Sequence, residues 1–280
     1  MKGKTIISIV LAVLLTAGAV FYQRMTGPTY TKEVTFTFND QNYQLTLPRS
    51  HSNNTTDCII KLERKELTLS ANLIYKKFPS DQAYDTLPFN REGDVLTVVV
   101  PSQPPAGKLQ YYIQVYNGSL STDVTKENPV VIRFKGNVPS HWLIVHIIFI
   151  FLAMLLSNFT GFLALFGNYK FRVFSMLTLF CLILGGLVFG PIVQKYAFGV
   201  YWSGVPFGFD LTDNKTLISF IFWIIAVIFN MKKERPGLTI IAAIVTIIIF
   251  SIPHSLFGSQ LDHSTGQITT GWILSLPGQL

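Results

Sequence analysis

Charge is missing from this chain in long blocks. Residues 5–23, 142–169, 173–194, 216–231 and 236–261 contain no Asp, Glu, Lys or Arg. Apolar runs of this length are what a hydrocarbon core of about 30 Å requires of spanning helices, because backbone amides in lipid have no water to bond. The expected fold class is therefore a membrane protein: an N-terminal transmembrane helix, a large extracytoplasmic segment, then a four-helix transmembrane bundle. The corresponding divisions are 1–24, 25–138, 139–254 with an aromatic outer loop at 195–215, and a tail at 255–280.

Basic residues orient the runs. Lys2 and Lys4 precede the first, Lys170 and Arg172 link the second and third, and Lys232, Lys233 and Arg235 link the fourth and fifth. Short basic links belong on the cytoplasmic side. The N-terminus is then inside, with segment 24–140, loop 195–215 and the C-terminus outside. These links hold seven of the positive charges and Glu234, whereas segment 24–140 has 13 basic and 11 acidic residues. The chain's net charge of +7 is thus mostly an orientation signal, and no basic patch remains for nucleic acid. The short basic N-terminus and compact loops point to the cytoplasmic (inner) membrane of a bacterium. Residues 1–19 also fit a cleaved secretory signal, with Ala17-Gly18-Ala19 as the small-residue site. The run extends to Tyr22, which is long enough to stay as an anchor.

Segment 24–140 reads as strands. Val34, Phe36 and Phe38 alternate with threonines, Tyr43, Leu45 and Leu47 alternate with Gln44 and Thr46, and Asn39-Asp40-Gln41-Asn42 between them has turn composition. Further period-two stretches lie at 67–75, 95–100, 109–115 and 130–134. About seven short strands with regular turns suggest a β-sandwich. The stretch 94–118, above all Pro104-Pro105-Ala106-Gly107-Lys108-Leu109-Gln110-Tyr111-Tyr112-Ile113, resembles the E-to-F strand region of fibronectin type III and related immunoglobulin-like domains. The resemblance covers about residues 30–136, and the Trp and paired cysteines of antibody-type domains are absent. It implies a fold and a binding or spacing role, with a protein partner at the outer domain.

Absences narrow the chemistry. There is no Walker-type loop, no Gly-x-Ser-x-Gly and no His-Glu-x-x-His. Cys58 and Cys181 lie in different regions and make neither a paired-cysteine zinc site nor a Cys-x-x-Cys-His haem attachment. Four runs lack acid and base apart from histidine, which disfavours proton-coupled transport.

Four of five histidines gather at the outer membrane face: His141 and His146 start the second run, His254 closes the fifth and His263 follows. Imidazole ligates haem b and divalent metals. A bis-histidine haem on His146 and His254 is one functional reading. Spacing limits it, since residues five apart on one helix point about 140° away from each other and differ by about 7.5 Å in height. The structural reading makes His141 an interfacial anchor beside Trp142, and lets His146 bond a neighbouring helix. Metal candidates are His141, His263, Asp262, Asp210 and Asp213. The loop 194–216 holds six aromatics among glycines, then Asp210-Leu211-Thr212-Asp213-Asn214-Lys215. It could lie as a lid over the histidine face, with Asp210, Asp213 and Asn214 as oxygen ligands for a divalent cation, or Thr212, Asp213 or Asn214 could cap the fourth transmembrane helix. Pro191 is expected to end the helix before that loop.

The chemistry expected is binding, sensing or assembly without catalysis, in a protein embedded in a lipid bilayer. The alternative is a redox or metal-binding membrane protein built on the outer histidines.

Overall fold

The computed structural model describes residues 2–27, 29–53, 56–63, 66–253 and 258–270. His254 and residues 271–280 lie outside these.

Four helices are long and apolar enough to cross a membrane: α1 (Lys2–Thr26), α2 (Ser140–Leu165), the continuous helix Phe171–Phe198, and α5 (Leu211–Lys232). A shorter apolar helix, α6 (Pro236–Ser251), has 16 residues, about 24 Å at 1.5 Å per residue. The charge-free run 236–261 thus does not form one long helix. Ile252 is extended (φ −65°, ψ 129°), the conformation forced on a residue that precedes proline. The chain then returns to the sheet-rich region.

Between α1 and α2 lie eleven strands among the described residues. β1 (Lys32–Phe38) and β2 (Gln41–Leu47) form the expected hairpin, with Asn39 and Asp40 at positive φ in its turn. β3 (Ser50–Ser52), β11 (Val130–Lys135), β9 (Lys108–Asn117), β5 (Ser70–Lys77) and β6 (Asp85–Pro88) make one sheet in that order. β10 (Leu120–Val124) pairs the C-terminal half of β9, while β11 pairs its N-terminal half. β4 (Ile59–Glu63), β8 (Val95–Val99) and β7 (Asn90–Glu92) make another sheet, with β2 beside β4. Strands from all these sheets feed one apolar core that includes Leu45, Ile60, Leu73, Leu96, Leu109, Tyr111, Ile113 and Phe134. On β9 the residues Leu109, Tyr111, Ile113 and Val115 are buried at every second position, the period-two pattern of a pleated strand.

The helices pack through small residues. A Cβ added to Gly161 would come within 2.6 Å of Ala243 Cβ, and one at Gly186 within 2.4 Å of Thr216 Cγ2. Ala153, Ser157, Thr160, Ala242, Thr246 and Ser219 are buried at these seams, as expected where backbones approach closely. Outward they expose Ile144, Ile148, Met176, Phe180, Ile228 and Ile248. α1 joins the group through Asn158 Nδ2–H donating to Thr16 Oγ1 (2.9 Å) and Gln23 Nε2–H donating to the carbonyls of Phe250 and Ile252 (3.0 and 3.3 Å).

Pro191 does not end its helix. The chain runs as α3 (Phe171–Leu182), a π-helical turn over Ile183–Phe189, and α4 (Gly190–Phe198), with Pro191 in the first turn of α4. Proline lacks an amide hydrogen and its ring crowds the carbonyl four residues back. The wider π turn, in which Gly190 N–H bonds Gly185 O, lets the helix axis continue. Gly199 at φ 85° supplies the left-handed cap that ends α4.

Candidate functional site

A cavity of about 330 Å³ opens between α1, α2, α4, α5 and α6, beside the sheet-rich region. One wall is a single face of α2, carrying Leu143, Ile147, Ile150, Phe151 and Met154, which recur at helical spacing. Leu143, Ile147 and Phe151 are also exposed to the outside of the bundle, so the cavity has an apolar side mouth. The opposite end is polar, with His146, Gln194, Asp210, Asp213 and Lys215.

His146 is positioned by the π turn. Its Nδ1 lies 2.8 Å from Gly185 O, and since a carbonyl only accepts, Nδ1 carries the hydrogen and Nε2 is left as the acceptor. No described residue bonds that Nε2. The π turn, a geometry that recurs at functional sites, thus aligns the histidine through the Gly185 carbonyl.

Asp210 is the helix cap. It precedes α5, and its Oδ1 accepts from the amides of Thr212 and Asp213 (2.8 and 3.4 Å), where a carboxylate also meets the positive end of the helix dipole. Capping therefore falls one turn earlier than the expected Thr212, Asp213 or Asn214. Asp210 Oδ2 accepts from Ser259 N–H and Oγ–H (2.7 and 3.0 Å). Asp213 Oδ2 accepts from the amides of Ser203 and Gly204 (2.6 and 3.0 Å), from Ser203 Oγ–H and from Gln194 Nε2–H. Asn214 Oδ1 accepts from Val205 N–H. These side chains hold the aromatic loop 199–210 against the top of α5 and the tail. Both oxygens of Asp210 and one of Asp213 face N–H and O–H donors.

Lys215 follows one turn later, buried at 4% exposure. Its Nζ donates to Ile252 O (2.8 Å), and no described carboxylate lies within ion-pair distance of it.

The tail closes the arrangement. β12 (Ser259–Leu261) and β13 (Ile268–Thr270) form a hairpin laid on the outer side of β9 and β11. Leu261 N–H donates to Ala106 O, Lys108 Nζ donates to Gln260 Oε1 (2.8 Å), and Arg133 donates to Ser259 O. Arg133 also lies over the Phe198 ring at 4.9 Å, a cation–π contact. Lys108 and Arg133 are cross-strand neighbours on the face opposite the sheet core, where strand alternation alone would leave them in water. Burial, with the nearby Arg133 charge, pushes the Lys108 ammonium down to about 7, and Asp210 opposes that shift. Burial likewise lowers Arg133 to about 10.

Two other histidines of the outer face are described, His141 and His263. His141 is exposed beside Trp142, with ring centroids 5.0 Å apart. His263 and Asp262 belong to the tail hairpin. Asp262 Oδ1 accepts from Ser264 N–H and Oγ–H, which hold its carboxyl down at about 2. Burial and then the Lys77 charge lower His263. Among the described residues, no three His, Cys, Asp or Glu side chains come together as a metal site. The bis-histidine haem has one placed member, His146, since His254 lies outside the described residues.

Lys215, Gln194, Ser203, Ser259, Lys108 and Arg133 were not singled out from the sequence as site residues. A signal existed only for Lys215, as a cation adjoining an apolar run.

The chain matches no protein-family model and no curated protein sequence. The four long apolar helices and the sheet-rich region between the first two define a multi-pass protein class. Its function must be read from the cavity.

Proposed function

We propose that this chain is a non-enzymatic binding protein of the bacterial cytoplasmic membrane. Its N-terminus faces the cytoplasm, α1 is retained as an anchor, and the sheet-rich domain and C-terminal tail lie outside. The sheet-rich domain is read as an immunoglobulin-like sandwich. Two observations support that reading: one core shared by its sheets and the β9 strand that follows the Pro104-Pro105 corner. The membrane reading draws on the outward apolar side chains of the long helices, which bundle packing leaves uncovered. β6 and β7 each have one unpaired edge, and a protein partner of the outer domain would engage there.

The observation that carries a binding role is the side-opening cavity, apolar along α2 and polar at His146 and Lys215. Ligand pockets combine mostly apolar walls with a few placed polar groups in this way. Around it the loop and tail are fastened by bonds to Asp210 and Asp213, so the site is largely preformed.

The test is native mass spectrometry of the full chain purified in mild detergent. A binding protein carries a small-molecule adduct that is lost in Ile147→Trp, where the indole fills the apolar wall. Bare protein that gains nothing on incubation with membrane extract would reject the reading. The same sample's absorption spectrum decides the alternative: a haem signature dependent on His146 would replace the binding reading with a redox one.

A further inference from the structure

The cavity holds a buried cation that makes no ion-pair contact within the described residues. Lys215 is buried, and its single bond within the described residues is to a neutral carbonyl, Ile252 O. Neither nearby acid makes an ion-pair contact with it, though the Asp210 charge acts on it through space. Asp210 uses both oxygens on Thr212, Asp213 and Ser259, and Asp213 Oδ2 is occupied by Ser203, Gly204 and Gln194. An ammonium removed from water without an ion-pair partner is costly, and such residues in membrane proteins mark ligand or ion paths. Within the described residues Lys215 Nζ uses one of its three N–H donors.

The shape of the cavity says what brings the anion. The polar end lies at the N-terminal end of α5. From there the α2 wall runs from Leu143 to Met154, about 16 Å of helix at 1.5 Å per residue. Its mouth is rimmed by Leu143, Ile147 and Phe151, which face the outside of the bundle. A small water-soluble anion has no use for that wall, and a wholly apolar molecule has none for Lys215.

We infer that the cavity binds a membrane amphiphile with an anionic headgroup, phosphate or carboxylate, seated on Lys215 with its chain along the α2 wall. This rests on the binding role proposed above. Gln194 and His146 flank the head. Nε2 of neutral His146 accepts a hydrogen bond from a hydroxyl of the head, and the protonated ring donates to its anion. The amphiphile enters sideways from the bilayer, so the sheet-rich domain, loop and tail need not open.

The experiment uses the full chain, delipidated in detergent and titrated with three probes under native mass spectrometry. They are palmitoyl-oleoyl phosphatidylglycerol, phosphatidylcholine with the same acyl chains, and oleate. Wild-type protein should retain at least one anionic probe tenfold or more over phosphatidylcholine. Preference for the glycerol lipid assigns a phosphate head, and preference for oleate a carboxylate. Lys215→Met should bring the ratio near one, and Lys215→Arg should keep it. The wild-type ratio needs no variant and so stands even if Lys215→Met does not fold. Equal retention of all three probes, with loss of all three in Ile147→Trp, overturns the anionic head and leaves the cavity a binding site. Retention unaffected by Ile147→Trp overturns both readings.

Discussion

Asp213 is the side chain on which the aromatic loop depends, and replacing it with alanine should release that loop. One oxygen, Oδ2, accepts from two backbone amides, Ser203 and Gly204. Gln194 Nε2–H and Ser203 Oγ are themselves 2.7 Å apart, so those two side chains keep each other as partners after the substitution. The two amides do not. A buried donor left unsatisfied costs about 1–3 kcal/mol. Gly204 is buried and Ser203 half-buried, so water relieves part of the second cost, and the sum is about 2–4 kcal/mol of local stability. At 1.4 kcal/mol per factor of ten, hydrogen exchange of the 203 and 204 amides should quicken by about 30- to 1000-fold. Asp213→Asn keeps an acceptor at the Oδ2 position but loses the charge, which roughly halves the strength of each bond. Its effect should fall between wild type and alanine. The measurement is hydrogen exchange followed by mass spectrometry on peptides covering 199–209, with β9 peptides as the internal standard. Exchange of these amides within threefold of wild type in Asp213→Ala would refute the account. Equal acceleration in β9 would mean global unfolding instead of loop release.

Other tests follow from single contacts. Gly186→Val should weaken detergent-state thermal stability strongly, because its Cβ would fall 2.4 Å from Thr216 Cγ2; Thr216→Ala should restore part of the loss, and no restoration would place the clash elsewhere. Lys108 titrates at about 7 when folded and near its ordinary value when unfolded. Between these pH values the unfolded chain binds the extra proton, so stability rises with pH across the window, and the burial penalty is complete below pH 7. Urea midpoints of wild type relative to Lys108→Met should therefore climb from pH 7 to 10, and parallel curves would contradict the buried ammonium. Cys58 is buried and its thiol is pushed up to about 11, so maleimide at pH 8 should label it far more slowly in the native protein than after unfolding; equal rates would show the thiol to be open.

Much of the architecture was legible locally. The charge-free runs located the helices, because only the bilayer argument explains so many apolar residues without a break. The alternation in Val34–Phe38 and Leu109–Val115 gave strands whose inward residues now form the core, since period-two burial is a property of the strand itself. Short strands without that signal, such as β4 and β7, were missed, as were the tail hairpin and its docking. The capping of α5 was readable in kind, because any of several side chains in 210–214 can bond the first amides. Which one does so depended on where the chain enters the helix.

The rest had no local signature. Pro191 reads as a stop, and only packing of Gly185 and Gly186 against α2 and α5 shows a π turn carrying the helix through it. Lys108 and Arg133 read as solvent-facing, because alternation describes one strand and is blind to a tail more than a hundred residues later. What the sequence by itself determined is the set of elements whose burial repeats along the chain: apolar helices, alternating strands and the basic links that orient them. The tertiary structure alone decided the cavity, its buried Lys215 and the seal formed by Asp210, Asp213 and the tail. Those depend on which distant backbone amides, carbonyls and charges meet, and no periodicity records such meetings.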